Sequence, residues 1–231
     1  MQYGNIHEAV FLDRPNRFVA HVELEGRTEL VHVKNTGRCR ELLIPGSRVY
    51  LVKSGNPERK TAYDLVAVEK ERPDRKPLLV NIDSQAPNRV FREYAESGAF
   101  LPEINKVRPE YTWGNSRFDF YLEASGDRIM AEIKGCTLEQ NGICMFPDAP
   151  TVRGARHVRE LVLCRQAGMR AFLCIVVQME EMQAFRPNDA MDPDFGRALR
   201  EAAAAGVEIQ ALECRVSPDK LQITGRIPVI L

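Results

Sequence analysis

The sequence predicts an α/β protein in two parts, a small β-barrel followed by a mixed sheet flanked by helices. In the first third of the chain, short stretches that alternate apolar and polar residues are separated by Gly and Pro breakers, a pattern typical of strands. After the charged stretch KERPDRKP and the short apolar stretch LLVNID, helical and strand-like segments alternate, which favours an α/β arrangement. We therefore place the boundary near residue 83 and predict domains over 1–83 and 84–231.

The barrel prediction rests on a run of short strands. FVAHVELEG and TELVHVKNTG alternate in polarity, and PGSRVYLVKSGNP and TAYDLVAVEK follow after Pro-Gly and Gly-Asn-Pro breakers. No long helical pattern interrupts them. About five strands in this length is the size of an oligonucleotide-binding (OB) barrel, and a β-sandwich is the alternative.

Three helices are predicted in the second part. The first, PNRVFREYAESGAF, has proline at its start and Gly98 near its end. The second covers about 151–167 and stops at Gly168. The third, DPDFGRALREAAAAG, has Asp192 as its predicted N-cap and Gly206 after its last turn. Because the strand AFLCIVVQ follows the second helix and VEIQALECRV follows the third, we expect a mixed sheet flanked by helices.

Composition excludes several protein classes. With 231 residues, 44% of them hydrophobic and 28% charged, the chain has the composition of a globular protein and not of a disordered or fibrous one. The apolar run AFLCIVV is far shorter than the ~20 residues that span a bilayer, and the N-terminus shows no signal pattern, so we expect a cytoplasmic protein with no membrane partner. The six cysteines show no C-x-x-C spacing, which predicts reduced, mostly buried thiols.

Charge is balanced overall, with 32 basic and 32 acidic residues, so any surface for nucleic acid must be local. The segment 34–60 contains seven basic residues and only two acids. From it we select Lys34, Arg38 and Arg40 as candidate DNA-binding residues. Arg38 follows the glycine of the NTGR motif, where the backbone can approach a phosphate. A solvated barrel face, with Arg38 paired to Glu41, is the alternative.

Two strands in the stretch SRFDFYLEASGDRIMAEIK carry acidic side chains where a buried sheet usually has none. Because alternate side chains of a strand share a face, we expect Phe118 and Phe120 to point away from Asp119. On the second strand, Glu132 and Lys134 share a face by the same rule. The pairing register then decides whether the acidic and basic side chains meet.

Turn chemistry sets that register. A two-residue turn at the SG pair places Asp119 directly opposite Glu132. A turn centred on the GD pair places Asp119 opposite Lys134, still on the same face. Only a one-residue change in register would put these three side chains on different faces of the hairpin. We therefore expect them to be neighbours.

Two neighbouring carboxylates beside a lysine suit a divalent cation. The carboxylates repel each other unless a cation neutralises them, and hard oxygen ligands favour Mg²⁺ or Mn²⁺. Such an ion makes a bound water more acidic and offsets charge on a phosphodiester, while a lysine positions that water. We therefore interpret Asp119, Glu132 and Lys134 as candidate catalytic residues and the two acids as metal ligands. An ion network on an exposed sheet face is the alternative.

The second predicted helix adds a polar face. Arg153, His157 and Glu160 occupy positions i, i+4 and i+7, and Arg156 is adjacent, while the opposite side of the helix is apolar. We select Arg153, Arg156 and His157 as candidate DNA-binding residues. For His157, an ordinary surface histidine is the alternative.

The chain resembles the sugar fermentation stimulation protein (SfsA) family along nearly its whole length. The matching stretches are NRFVAHV, VHVKNTGRCRELLIPG, NPERKTAYDLV, SRFDFYL, EIKGCTL, FPDAPTVRGARHVREL and IPVIL. Lys34 and Cys39 stand where the family is expected to have proline and methionine, and neither departure touches the acidic segment.

This resemblance implies an OB-like barrel joined to a restriction-endonuclease-like α/β domain of the PD-(D/E)XK type. It also implies DNA binding without marked sequence preference and a role in regulating sugar metabolism, particularly that of maltose. By position, Asp119 corresponds to the first acid of the motif, Glu132 to the second and Lys134 to its lysine. Because a fold does not establish a reaction, DNA binding is the leading interpretation. A Mg²⁺- or Mn²⁺-dependent deoxyribonuclease and a purely regulatory DNA-binding protein are the alternatives, with the choice between single- and double-stranded DNA open.

Overall fold

The structure, a computed structural model, describes residues 1–35, 37–73 and 75–231. The first sheet contains β1 (Ile6–Asn16), β2 (Val19–Leu24), β3 (Arg27–Val33), β4 (Arg48–Lys53), β5 (Tyr63–Lys70) and β6 (Leu78–Asn81). Strands β1 to β5 close into a barrel in the order β1-β2-β3-β5-β4-β1, and β6 pairs with β5 outside it. The β3–β5 pair is parallel and the other barrel pairs are antiparallel, so the first part is a closed five-stranded OB barrel and not a sandwich.

Alternating apolar side chains fill the barrel. In β2, Ala20, Val22 and Leu24 are buried while the residues between them are partly or wholly exposed. Strand β1 lacks this alternation, since only Ala9 and Phe11 of its 11 residues are buried. The polarity pattern therefore does not predict β1, although β1 pairs with both β2 and β4.

The second part is built on a mixed six-stranded sheet. In chain order its elements are α1 (Ala86–Glu96), β7 (Ile104–Trp113), β8 (Ser116–Ala124), β9 (Asp127–Cys136), β10 (Leu138–Gln140), β11 (Ile143–Phe146), α2 (Val152–Gln166), β12 (Arg170–Val177), β13 (Ala184–Pro187), α3 (Pro193–Ala204), β14 (Glu208–Ser217) and β15 (Lys220–Ile227). The large sheet has the order β15-β14-β12-β9-β8-β7, in which β9, β12 and β14 are parallel and the outer strands antiparallel. This arrangement confirms the predicted mixed sheet.

The three helices occur where the sequence predicts them, and their first turns show why. The Asp192 side chain accepts a hydrogen bond from the Phe195 amide at the start of α3, which confirms the predicted N-cap. At the start of α2, the Thr151 hydroxyl accepts one from the Gly154 amide. Strands β10, β11 and β13 form a separate small sheet. Each has only 3 or 4 residues, too few to show an alternating pattern, and they are absent from the predicted order.

The large sheet separates two hydrophobic layers. On one face, Met130 and Leu173 belong to a cluster that includes α2, α3 and the barrel interior. On the other face, Phe120 and Ala131 pack with α1. Phe118 belongs to the α2-side cluster, so the prediction that it shares a face with Phe120 is wrong. The β8–β9 ladder ends at the Phe120–Ala131 pair, so Phe118 lies beyond it, in the part of β8 that pairs only with β7.

A buried polar seam joins the barrel to the second part. The Asn81 amide donates to the carbonyl of Gln178, whose side-chain amide donates to the Asn81 Oδ1 atom at 2.8 Å and to the Asp83 carbonyl at 3.1 Å. Both the amide and the hydroxyl of Ser84 donate to the Lys34 carbonyl. These bonds satisfy polar groups that are removed from water, and they fix the start of α1 beside the barrel.

The cysteines match a further expectation. All six cysteines are free and buried, as predicted. Burial raises the pKa of Cys164 to about 12, which keeps this thiol protonated and unreactive. In the part of the chain that the structure describes, no helix is long and apolar enough to cross a membrane.

Candidate active site

The β8–β9 hairpin brings Asp119 and Glu132 together. Ala124 pairs with Asp127 across a two-residue turn and Phe120 pairs with Ala131, which confirms the register predicted from the SG pair. One residue further along this register, Asp119 faces Glu132. The backbone pairing of β8 with β9 has ended before this position. The Ile133 amide donates instead to the Asp119 Oδ2 atom, at 2.8 Å, and not to a backbone carbonyl of β8.

Both acids line an open cleft of about 510 Å³. Its wall comes from several elements that are far apart in sequence. Asn88 comes from α1, Arg117 from β8, and Arg153 and His157 from α2. Lys134, on β9, lies beside the acids. The structure therefore gathers the three predicted catalytic residues and two of the predicted DNA-binding residues around one opening.

Two hydrogen-bond donors fix the Asp119 carboxylate in the cleft. The Asn88 side-chain amide donates to Oδ1 at 2.9 Å, and the Ile133 amide donates to Oδ2. Burial raises the pKa of Asp119, and the charge of Glu132 raises it further, although Lys134 and the two hydrogen bonds act against this rise. The carboxylate is consequently easier to protonate than an ordinary aspartate.

Glu132 lies deeper, with only 2% of its surface exposed. Its Oε1 atom accepts hydrogen bonds from the Lys134 ammonium at 2.5 Å and from the His157 Nδ1 atom. Burial raises the pKa of Glu132, but the hydrogen bond from His157 and the positive charge of Lys134 outweigh it, so the pKa is lower than usual. The Oε2 atom is buried and has no hydrogen-bond partner among the described residues.

His157 points inward to Glu132 and not outward. It is 7% exposed, and its Nε2 atom lies 3.3 Å from the Nε of Arg153, which donates to it. Since Nε2 accepts, the ring carries its proton on Nδ1 and donates it to Glu132. The helical spacing places His157 on the polar side of α2, but it does not tell whether that side faces solvent or the acids. Arg156 is exposed and pairs with Glu160 one turn later, with 3.4 Å between Nε and Oε1.

Asn88 is a site residue that the sequence reasoning missed. It contacts Asp119 across 31 positions of sequence, in the first turn of α1. The sequence signal for α1 is a helix start with a proline, which indicates structure and not chemistry. Only the packing of α1 against the sheet brings this amide to the cleft.

The three candidate residues on the barrel have different surroundings. The Lys34 ammonium lies 3.0 Å from the carboxylate of the wholly buried Asp83, so its charge is already paired. Arg38 and Arg40 are exposed, and neither forms an ion pair within the described ranges, so the alternative pairing of Arg38 with Glu41 is not observed. A Cβ atom added to the neighbouring Gly37 would lie 2.8 Å from the Asp148 Oδ2 atom, which places this barrel loop against the segment that leads into α2.

The donor set fits one kind of metal ion. Among the residues that the structure describes, no group of three or more His, Cys, Asp and Glu side chains is arranged to hold a metal on its own. A protein-enclosed zinc site therefore does not fit. Mg²⁺ and similar hard ions need only one or two carboxylates because water and phosphate oxygens complete their coordination. Asp119 and Glu132 provide these two carboxylates, and the buried Glu132 Oε2 atom has capacity to bind a cation.

Comparison with known proteins identifies relatives of this chain. A family model described as the SfsA N-terminal OB domain matches residues 12–81, and one described as the sugar fermentation stimulation protein RE domain matches residues 85–220. The sugar fermentation stimulation protein homolog of Ruminiclostridium cellulolyticum is 47% identical over 231 residues, covering 100% of both chains. The homolog of Desulfitobacterium hafniense is 49% identical over 222 residues, covering 96% of this chain and 95% of the other.

A solved structure has the same fold along the whole chain. It is that of Pyrococcus furiosus SfsA in complex with Ca²⁺, with a TM-score of 0.88 and 31% sequence identity. The alignment covers 100% of this chain and 98% of the archaeal one. These matches confirm the predicted family and fold class, an OB barrel followed by a restriction-endonuclease-like α/β domain.

Proposed function

The chain belongs to the sugar fermentation stimulation protein family, and from that premise we propose that it binds DNA and hydrolyses phosphodiester bonds in the cleft around Asp119. One observation carries the proposal. Asp119 and Glu132 share an open cleft, their pKa values are shifted in opposite directions, and one buried oxygen of Glu132 has no hydrogen-bond partner within the described residues. Perturbed carboxylates that share a cleft with cationic side chains are typical of catalytic sites.

A divalent cation completes this proposal. Asp119 and Glu132 would hold Mg²⁺ or Mn²⁺, and the bound ion would supply a more acidic water and a positive charge beside the phosphate. The P. furiosus relative was solved in complex with Ca²⁺, a hard cation that also prefers oxygen ligands, which supports a cation site in this chain.

The residues around the acids have distinct roles in the proposal. His157 and Asn88 orient the two carboxylates by hydrogen bonds, and they need not touch the substrate. Lys134 is the cationic side chain beside Glu132, placed to orient a water or to donate to a phosphate oxygen. Arg117 and Arg153 line the same cleft and offer donors for the flanking phosphates.

DNA is the proposed substrate because arginines extend beyond the cleft. Arg38 and Arg40 are exposed on the barrel loop that lies next to Asp148. Contacts from arginine to phosphate carry no base information, so binding is expected to depend little on sequence. The effect on sugar metabolism that the family description names would then be a consequence of DNA binding or cleavage.

A binding and cleavage assay tests the proposal. Purified protein is incubated with DNA in EDTA, Ca²⁺, Mg²⁺ or Mn²⁺, binding is measured by fluorescence anisotropy, and cleavage is measured on denaturing gels. We expect the parent to cleave with Mg²⁺ or Mn²⁺, and Asp119→Asn to bind DNA without cleaving it. Binding with no cleavage under any condition would leave a regulatory DNA-binding protein, and no DNA binding at all would overturn the proposal entirely.

A further inference from the structure

One guanidinium group ties together two loops of the barrel. Arg14 donates to the carbonyl of Arg17 at 2.7 Å, in the turn between β1 and β2. It also donates to the carbonyls of Asn35, Gly37 and Arg38, at 2.7, 2.9 and 2.8 Å, in the loop after β3. All four partners are neutral carbonyls, so these hydrogen bonds tie the two loops together without pairing Arg14 with an acid.

A groove follows this surface. It is lined by Arg14, Asn16, Arg17, Gly37, Arg38, Arg40 and Leu43, and none of these lining residues is acidic. Four arginines along one groove of a protein with no net charge indicate a polyanionic ligand. We call this surface the arginine groove.

An exposed aromatic ring stands beside the arginine groove. Phe18 follows Arg17 in the β1–β2 turn and is 47% exposed. The Phe18 amide donates to the Asn16 Oδ1 atom, and its carbonyl accepts from the Val33 amide, so the ring stands on a fixed backbone. The Arg17 guanidinium lies 4.8 Å from the ring centroid on one side.

We propose that the arginine groove binds a single-stranded polynucleotide, with one unpaired base stacked on Phe18 or on the guanidinium above it. Phosphates explain the arginines but not the exposed ring. Bases in a duplex already stack on each other, whereas an unpaired base gains from an aromatic face or a planar guanidinium. This inference rests on the proposed DNA binding and names the form of the strand.

The position of the groove supports a strand that continues to the cleft. The loop that carries Arg38 lies against Asp148, two residues after Phe146 and three before Thr151, and both of these line the cleft. A flexible strand that leaves the arginine groove past this contact would reach the segment that lines the cleft.

The test compares matched oligonucleotides in EDTA, so that cleavage does not interfere. Anisotropy is measured with labelled oligo-dT, a duplex of the same length, and an abasic strand of the same length. Phe18→Leu is expected to weaken oligo-dT binding by about 5- to 150-fold, the range for loss of one stacked base, and to change duplex binding by less than about twofold. Phe18→Tyr keeps the ring and should bind like the parent. Met191→Ala, an equally exposed apolar side chain on the second part, is the matched control.

Two further results support or refute the inference. The abasic strand should bind the parent as weakly as oligo-dT binds Phe18→Leu, and Arg38→Ala should weaken every probe and flatten its salt dependence. If Phe18→Leu leaves oligo-dT binding unchanged while DNA still binds, the inference is overturned and the proposed function stands. If the parent binds none of the probes, the proposed function fails as well.

Discussion

Mn²⁺ should raise the thermal midpoint of the parent protein, and Asp119→Asn should remove most of that rise. A ligand present at about 100 times its Kd stabilises the folded state by about 2.7 kcal/mol. For a chain of this size, each kcal/mol of added unfolding free energy raises the thermal midpoint by about 2–4 °C. The midpoint of the parent should therefore rise by about 5–10 °C. The substitution removes one of the two carboxylates proposed to hold the ion, and the rise should fall below about 2 °C.

The metal-free variant should be nearly as stable as the parent. Asp119 accepts one hydrogen bond at each oxygen, from Asn88 and from the Ile133 amide. An asparagine side chain keeps one of these acceptors and loses the other, which costs about 1 kcal/mol. Removal of a partly buried charge that is repelled by Glu132 offsets this loss. We therefore expect the unfolding free energies of the two metal-free proteins to agree within about 1 kcal/mol.

Asp127→Asn is the matched control for this experiment. Asp127 lies on the other strand of the same hairpin, is 52% exposed, and stands 3.6 Å from Arg170 outside the cleft. Its substitution removes the same charge and should leave the full metal-induced rise. The measurements are thermal scans with and without Mn²⁺ and calorimetric titration of Mn²⁺. Equal Mn²⁺ affinity in the parent and in Asp119→Asn would refute the reasoning.

The pH dependence of stabilisation by Mn²⁺ tests the same site. Burial raises the pKa of Asp119, so protons compete with the cation at a pH above the ordinary range for an aspartate. Stabilisation by Mn²⁺ is therefore present above this raised pKa and is lost as the pH falls through it. A metal-induced rise that stays constant from about pH 8 to about pH 4 would contradict the assignment of Asp119 as a ligand.

Three other substitutions separate the roles of neighbouring side chains. Lys134→Ala should keep the Mn²⁺-induced rise and lower DNA cleavage by about 10²- to 10³-fold in gel assays, because the lysine acts on water or phosphate and not on the ion; loss of the Mn²⁺ effect would contradict this role. His157→Ala should reduce the unfolding free energy by about 2–4 kcal/mol in denaturant titrations, because it removes a buried donor to Glu132 and leaves a cavity. Unchanged stability with a smaller salt slope for DNA would instead place His157 on the DNA surface. Lys34→Ala leaves a wholly buried carboxylate without its cation and should reduce stability by about 3 kcal/mol. Arg38→Ala should leave stability unchanged, weaken DNA binding and reduce its salt slope by about 0.9 per lost phosphate contact. Equal unfolding free energies for these two variants would show that the Lys34 pair is not structural.

The hairpin that carries the acids could be predicted because its information is local. A two-residue Ser-Gly turn fixes the register, and the register fixes which side chains face each other. The observed pairs across β8 and β9 follow that register as far as Phe120 and Ala131. Asp119 and Glu132 are the next pair along it. The sequence thus contains the central geometry of the candidate site.

Other parts of the site depend on how distant elements dock. His157 contacts Glu132 across 25 positions and Asn88 contacts Asp119 across 31, and neither contact follows from a periodic pattern. Lys34 stands among basic residues and looks like a phosphate contact, yet the seam between the two parts brings it to Asp83. Residue spacing predicts which side chains share one face of a helix or strand. What that face packs against is decided by tertiary packing.

The alternative of an exposed ion network does not fit the structure. Such a network lies in water, where both oxygens of each carboxylate are solvated. Glu132 is instead 2% exposed, and its Oε2 atom is buried without a partner in the described part of the chain, an arrangement that costs stability. On the same sheet face, Met130 and Leu173 belong to the α2-side apolar cluster. We propose that a ligand bound by the unused Glu132 oxygen, and not the stability of the fold, explains a buried acid at the end of the ladder between two strands.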